Sequence, residues 1–135
     1  MKLLPDTHSF IFYVDRPDAL PSAARAAMED PSNDLFLSLV SPWEMQIKAT
    51  LGKVQLSKPA AELVQSELDR AAIQLLPITL HHIAALSRLP NHHRDPFDRL
   101  LVAQAIYEGL TIVSSDQIIA TYAAPVLWEE LPTTE

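Results

Sequence analysis

The chain contains no cysteine, so disulfides and thiolate zinc sites are excluded. It has only two glycines and no glycine-rich phosphate loop, which removes one common cradle for nucleotides. No apolar run approaches ~18 residues, the length that crosses a bilayer as a helix, so no membrane span is expected. The N-terminus offers one lysine and a very short apolar stretch before Asp6, which does not make a signal peptide. The cytoplasm is therefore the expected location. Positive charge is scarce too: 10 Lys and Arg face 17 Asp and Glu, for a formal net charge of -7. That balance argues against a broad basic surface for nucleic acid. It leaves room for an enzyme whose bound cations mask its own acids.

What is present is a chain of 135 residues, 48% of them hydrophobic, enough for one domain with a real core. The domain is expected over residues 1–128, followed by a polar tail at 129–135. Strand-like runs fall at 3–4, 35–39, 73–76, 111–113 and 126–127, with helix-like segments between them. Pro21 and Ser22 introduce a helix over 23–28. Ser41 begins another, in which Trp43, Ile47 and Leu51 recur at i,i+4 and Gly52 marks the stop. Pro59 opens a third, with Leu63 and Leu68 on one side. Thr79 caps a segment holding Ile83, Leu86 and Leu89. Pro96 starts a helix with Phe97, Leu101 and Ala105 in register, ended by Gly109. Trp43 and Phe97 read as core. Alternating strands and helices imply an α/β fold with a mostly parallel sheet of about five strands.

Four acids stand at or beside the ends of these elements: Asp6, Glu44, Asp98 and Asp116, with Asp95 one turn before Asp98. Each has a plain capping reading. Ser41-Pro42-Trp43-Glu44 fits a capping box, Asp95-Pro96-Phe97-Asp98 has the same shape, and Asp6 and Asp116 can cap helices after strands. Glu44 can also pair with Lys48 on an exposed helix face. The second reading is shared. In a parallel sheet Asp6 and Asp116 lie at carboxyl strand ends, where such folds bind ligands. Glu44 and Asp98 open helices that face the same edge. Converging carboxylates suit a hard divalent cation. Packed together they raise one another's pKa, which points to Asp116 as a position where neutralisation stabilises the cation-free protein.

Several stretches carry a family resemblance. They are Leu3-Leu4-Pro5-Asp6-Thr7-His8, Ser41-Pro42-Trp43-Glu44, Leu51-Gly52-Lys53, His92-His93-Arg94-Asp95-Pro96-Phe97-Asp98-Arg99-Leu100-Leu101 and Val113-Ser114-Ser115-Asp116. In order and spacing they resemble the PIN-domain ribonucleases, and among these the VapC-type toxins of bacterial toxin–antitoxin pairs. The likeness runs from about Lys2 to Trp128. It implies a PIN-like three-layer fold and Mg²⁺- or Mn²⁺-dependent endonucleolytic cleavage of RNA. It also implies a homodimer and inhibition by a cognate antitoxin. The family's acidic quartet falls on Asp6, Glu44, Asp98 and Asp116, as catalytic residues and metal ligands together. Asp95 and Ser114 take supporting places. Ser114 stands where many relatives have Thr, Ser115 replaces a frequent Arg, and Pro5 replaces a common aliphatic residue. A proline removes a ladder donor, so the first strand is expected to stop one residue early.

Lys48, Lys53, Arg94 and Arg99 are the candidate contacts to RNA phosphates. The plain alternatives are solvated helix-end charge for the lysines and neutralisation of Asp95 and Asp98 for the arginines. His81-His82 and His92-His93 do not make a zinc pair, because adjacent residues do not face one another on a helix. His8 is expected to pack beside the acids in a structural role. The rival to an RNase is a catalytically silent PIN-like module for protein binding, in which the acids only cap helices. A phosphatase or phospho-acceptor domain lacks its strand-end Asp-x-Asp pair here.

Overall fold

Five short strands form one parallel sheet. They are β1 (Lys2–Pro5), β2 (Asp34–Ser38), β3 (Gln74–Leu76), β4 (Thr111–Val113) and β5 (Val126–Leu127), in the order β3-β2-β1-β4-β5. The computed structural model describes residues 1–70 and 72–130. The tail expected at 129–135 therefore lies mostly outside the described residues. Every strand pairing is parallel. The first three strands step one way across the sheet, and β4 then returns to the other side of β1. This reversal between β1 and β4 is the switch point at which open α/β sheets leave a crevice.

Among the described residues six α-helices cover the sheet: α1 (Thr7–Asp15), α2 (Ser22–Glu29), α3 (Val40–Thr50), α4 (Ala60–Asp69), α5 (Leu80–Leu86) and α6 (Pro96–Glu108). Successive strand residues point to opposite faces, and both faces are apolar. Leu3, Leu35, Leu37, Val113 and Leu127 join Phe10, Met28, Met45 and Leu63 in one core. Leu4, Leu76 and Ile112 join Leu100, Leu101, Val102 and Ala105 in the other. The result is the expected three-layer α/β arrangement, with α1, α2 and α4 mainly on one face and α5 and α6 on the other. α3 serves both layers, giving Met45 to the first and Val40 to the second. Each fully buried Leu or Phe contributes about 1.5–3 kcal/mol.

Three expectations are corrected. The first strand does not stop before Pro5, which pairs with Val113 in the ladder. The Asp6 N–H donates to Val113 O at 3.0 Å, so by the two-residue alternation the nitrogen of Pro5 faces β2. Pairing between β1 and β2 is recorded only as far as Leu3 and Leu35, so the missing donor costs no bond there. α1 has no counterpart among the segments marked from the sequence. Its run Phe10-Ile11-Phe12-Tyr13-Val14 is β-branched and aromatic, but Asp6 caps it and the core takes its Phe10 and Ile11. Finally, Trp43 is not core. Trp43 is 58% and Leu51 62% exposed, while α3 buries Val40, Ser41, Glu44 and Met45. Helical spacing picked out a stripe, and the stripe faces outward. Trp43 meets half-buried Phe97 edge-on, with ring centroids 5.1 Å apart.

Both glycines sit past helix ends with left-handed backbone, at φ 72 for Gly52 and φ 70 for Gly109. At Gly109 the N–H groups of Gly109 and Leu110 both close on Ala105 O, which satisfies the last turn of α6. A methyl group added there meets nothing within 4 Å. Gly109→Ala should therefore lose about 1–2 kcal/mol through backbone strain alone, read as a lower urea midpoint with an unchanged m-value.

Candidate active site

The two central strands deliver two of the acids. Asp6 follows β1 and caps α1, accepting the Ser9 N–H on Oδ1 at 2.9 Å. Its Oδ2 accepts the Ser114 hydroxyl at 2.5 Å. Ser114 follows β4, and its oxygen accepts the Asp116 N–H at 3.0 Å. One buried hydroxyl thus ties the ends of both strands. Asp116 starts the next turn, its Oδ1 accepting the Ile118 N–H at 2.8 Å.

The helices deliver the other two. Glu44 is only 3% exposed on α3. Its Oε1 accepts the Thr7 hydroxyl at 2.6 Å, and its Oε2 lies 2.6 Å from Lys48 Nζ. The capping box expected at Ser41 is absent: the helix starts at Val40, and Leu39 caps it without a side-chain bond. Pro42 is tolerated because N–H groups in the first turn have no helical acceptor. Nor is the Glu44–Lys48 pair on an exposed face, since its carboxylate is buried. Asp95 does cap α6, accepting the Phe97 N–H at 2.8 Å and the Asp98 N–H at 3.3 Å. That cap places Asp98 in the first turn.

Asp6, Glu44, Asp98 and Asp116 line one cleft of about 300 Å³, together with Thr7, His8, Lys48 and Ser115. Larger hollows of about 660 Å³ and 760 Å³ lie elsewhere. The first is also lined by four acids, Glu29, Asp30, Asp34 and Glu67, but Arg25 and Arg70 stand among them, and among the described residues only the acidic cleft adjoins a group of ligand atoms close enough to share an ion. Asp95 and Ser114 stand just behind the cleft. Lys48 lines it, whereas Lys53 and Arg94 are exposed outside it. Arg99 does not pair with Asp98. Its Nη1 donates to Pro90 O at 3.1 Å and lies 3.4 Å from the Tyr122 hydroxyl.

Two participants were not marked from the sequence. Thr7 orients Glu44, and nothing but its adjacency to Asp6 signals it. His93 reaches Asp116 Oδ2 at 2.9 Å and Asp98 Oδ2 at 3.2 Å. Its only signal is its place two residues before Asp95. His82, by contrast, is buried and closes the capping box of α5 with Thr79.

The electrostatics separate the acids. Burial, then the charges of Asp95, Asp6 and Glu44, push the Asp98 carboxyl up to about 7, with His93 opposing. Burial also raises Asp6, against hydrogen bonds from Ser114 and Ser9. Asp116 goes the other way. Partial burial raises it, but the bond from His93 and the N–H groups of Ile118 and Ile119 together hold it below the usual carboxylate value. For Lys48, burial lowers the ammonium while Glu44, Asp95 and Asp98 raise it, and the net shift is upward.

The donor set is oxygen-rich and suits a hard cation. Among the described residues, His93, Asp98 and Asp116 offer ligand atoms all within 4.8 Å of one another. Among the described residues Asp98 is the quartet member whose carboxylate accepts no hydrogen bond: His93 Nε2 stands 3.2 Å from its Oδ2, and Oδ1 is free of both.

The sequence profile of the PIN domain matches residues 3–125. The chain belongs to the PIN domain family. Ribonuclease VapC22 of Mycobacterium tuberculosis is a relative, 27% identical over 124 residues, covering 91% of this chain and 93% of that one. The PIN fold here also resembles a chain of VapBC2 from Rickettsia felis, crystallised with a DNA fragment from the promoter. The TM-score is 0.69 at 16% identity, over 95% of this chain and 99% of that one. A chain of VapBC-1 from nontypeable Haemophilus influenzae gives TM-score 0.64 at 15% identity, over 96% and 98%. No helix among the described residues of this PIN domain is long and apolar enough to cross a membrane.

The pKa directions give a test of the site's electrostatics. A carboxyl raised above its unfolded value keeps a proton in the folded state that the unfolded chain has already lost. Stability then falls as pH rises from about 4 through about 7, and levels off above. Asp98→Asn should remove its share of that decline, with Asp6 keeping its own, and melt higher than wild type in chelator above neutral pH. Asp116 has the opposite sign, so Asp116→Asn should melt lower, contrary to the stabilisation expected from the sequence. Melting curves in chelator across this range check both, and a wild-type-like decline in Asp98→Asn contradicts the assignment.

Proposed function

We propose that this PIN domain is a Mg²⁺- or Mn²⁺-dependent endoribonuclease and the toxin of a toxin–antitoxin pair. The observation that carries the reading is the convergence of four carboxylates, from residues 6 to 116, on one cleft at the switch point of the sheet. The likeness to Ribonuclease VapC22 supports RNA as the substrate.

Asp6, Glu44, Asp98 and Asp116 are the residues that would hold the cation. When bound, the cation supplies Lewis acidity for phosphodiester hydrolysis, activating water and neutralising charge on the phosphate. The chain's own groups prepare the site. Ser114 and Ser9 fix the Asp6 carboxylate, and Thr7 and Lys48 fix that of Glu44. Lys48 sets one positive charge beside the acids, where an RNA phosphate would approach. Exposed Lys53 and Arg94 extend that track outside the cleft. Arg99 supports the loop before α6 instead.

The chains of similar fold belong to the VapBC2 and VapBC-1 structures, which supports an antitoxin partner for this chain. A basic side chain from that partner, paired with the carboxylates, would displace the cation. A homodimer is supported by the outward apolar stripe of α3, with Trp43 58% and Leu51 62% exposed.

Asp6→Asn, Glu44→Gln, Asp98→Asn and Asp116→Asn should each cut RNA cleavage by at least about 100-fold, a larger loss than changing an outer partner normally gives. Asp95→Asn should lose less, because Asn keeps the cap. Cleavage assays in Mg²⁺, with circular dichroism to verify folding, are the check. Wild-type rates in both Asp98→Asn and Asp116→Asn would leave the catalytically silent PIN-like module as the reading. Sequencing RNA 5′ ends after brief expression would identify the cut sites.

Association is tested separately. The purified chain should scatter light as a dimer at micromolar concentration, and Trp43→Ser should shift it toward monomer. A monomeric wild type would count against the stripe as an interface. RNase activity unchanged by the antitoxin encoded beside it would count against inhibition.

A further inference from the structure

His93 has no role in the quartet, yet its ring is the most constrained group beside it. The Asp95 N–H donates to His93 Nδ1 at 3.2 Å. Nδ1 is therefore the acceptor, and the ring proton sits on Nε2. That Nε2–H donates to Asp116 Oδ2 at 2.9 Å, and the same nitrogen lies 3.2 Å from Asp98 Oδ2. The backbone behind the ring is fixed as well. The buried Tyr122 hydroxyl accepts the N–H groups of both His92, at 3.1 Å, and His93, at 2.8 Å. His93 is not among the residues lining the acidic cleft, so it approaches the two carboxylates from behind.

We propose that His93 is a positioning residue, a clamp whose Nε2–H holds Asp116 while its ring stands against Asp98 Oδ2, so that the two carboxylates keep one separation and Asp98 Oδ1 is left for the cation. The inference rests on the cation-dependent reading of the cleft. With Nδ1 occupied by the Asp95 N–H, Nε2 cannot offer a lone pair to a metal without breaking that bond. His93 thus serves the site through the acids and is not itself a ligand. Outer partners of this kind fix ligand orientation, and their loss typically weakens metal binding by 10–100-fold. Tyr122 extends the same support one step further, to the segment that carries the ring.

The test is the affinity for Mn²⁺ measured by calorimetry on the purified full chain without RNA. His93→Ala should raise Kd by about tenfold or more. His93→Gln, which restores a donor on a side chain of similar reach, should recover part of the loss. A purely structural role predicts no such rescue. Tyr122→Phe should raise Kd by a smaller factor. In wild type labelled with ¹⁵N-histidine, the His93 Nε2–H signal should persist when Mg²⁺ is added, because the clamp stays closed. Two results overturn the clamp: tighter Mn²⁺ binding by His93→Ala, or loss of the Nε2–H signal to fast exchange on adding Mg²⁺. Either would make His93 a plug that the cation displaces. If wild type itself binds no Mn²⁺ and matches Asp98→Asn, the cation site fails and the clamp with it. Binding by wild type with unchanged affinity in His93→Ala sinks the clamp alone.

Discussion

Three parts of the chain take their position from Asp6, a residue whose carboxylate is buried. Its main-chain N–H ends the β1–β4 ladder on Val113 O. One carboxylate oxygen starts α1 through the Ser9 N–H, and the other holds the Ser114 hydroxyl. Ser114 passes the constraint to Asp116 through the Asp116 N–H. A carboxylate this deep is costly unless every oxygen has a donor, and here both do. The same bonds that make Asp6 tolerable therefore also set the spacing of the acids across the switch point.

The cleft contains acids of opposite temperament, and the difference is environmental. Asp116 is partly exposed and collects a histidine and two main-chain N–H groups, so its charge is stabilised. Asp98 is more deeply placed among three other negative charges, and its charge is resisted. Local folding rules alone would not leave such a group in place. Natural sequences break these rules mainly at functional sites, where the strain is used.

Much of this was legible because the acids double as punctuation. Asp6 and Asp95 are helix caps, and a cap can be read from the pattern around it. The five strands were legible from short apolar runs, and α6 from Pro96 and Gly109 at its ends. α1 was hidden because β-branched and aromatic residues contradict a helix, and only the crossover from β1 to β2 overrides them. The inward face of α3 was hidden for a related reason. Periodicity reports the direction of apolar residues, but here the inward face carries Ser41 and Glu44 for the cleft, and the apolar stripe looks out. His93 and Thr7 act through contacts between segments far apart in sequence, which spacing does not encode.

The Asp6–Ser114 bond spans 108 residues, and this orders events during translation. Residue 6 is synthesised 108 residues ahead of Ser114, and Asp116 follows Ser114. At about 5–20 residues per second, the first strand waits about 5–20 seconds for the strand that completes its carboxyl edge. Through that interval the nascent chain can form α1 and α2, but it has no four-acid cleft. Whatever chemistry the cleft performs is thereby withheld until both ends of that span exist, a delay written into the strand order.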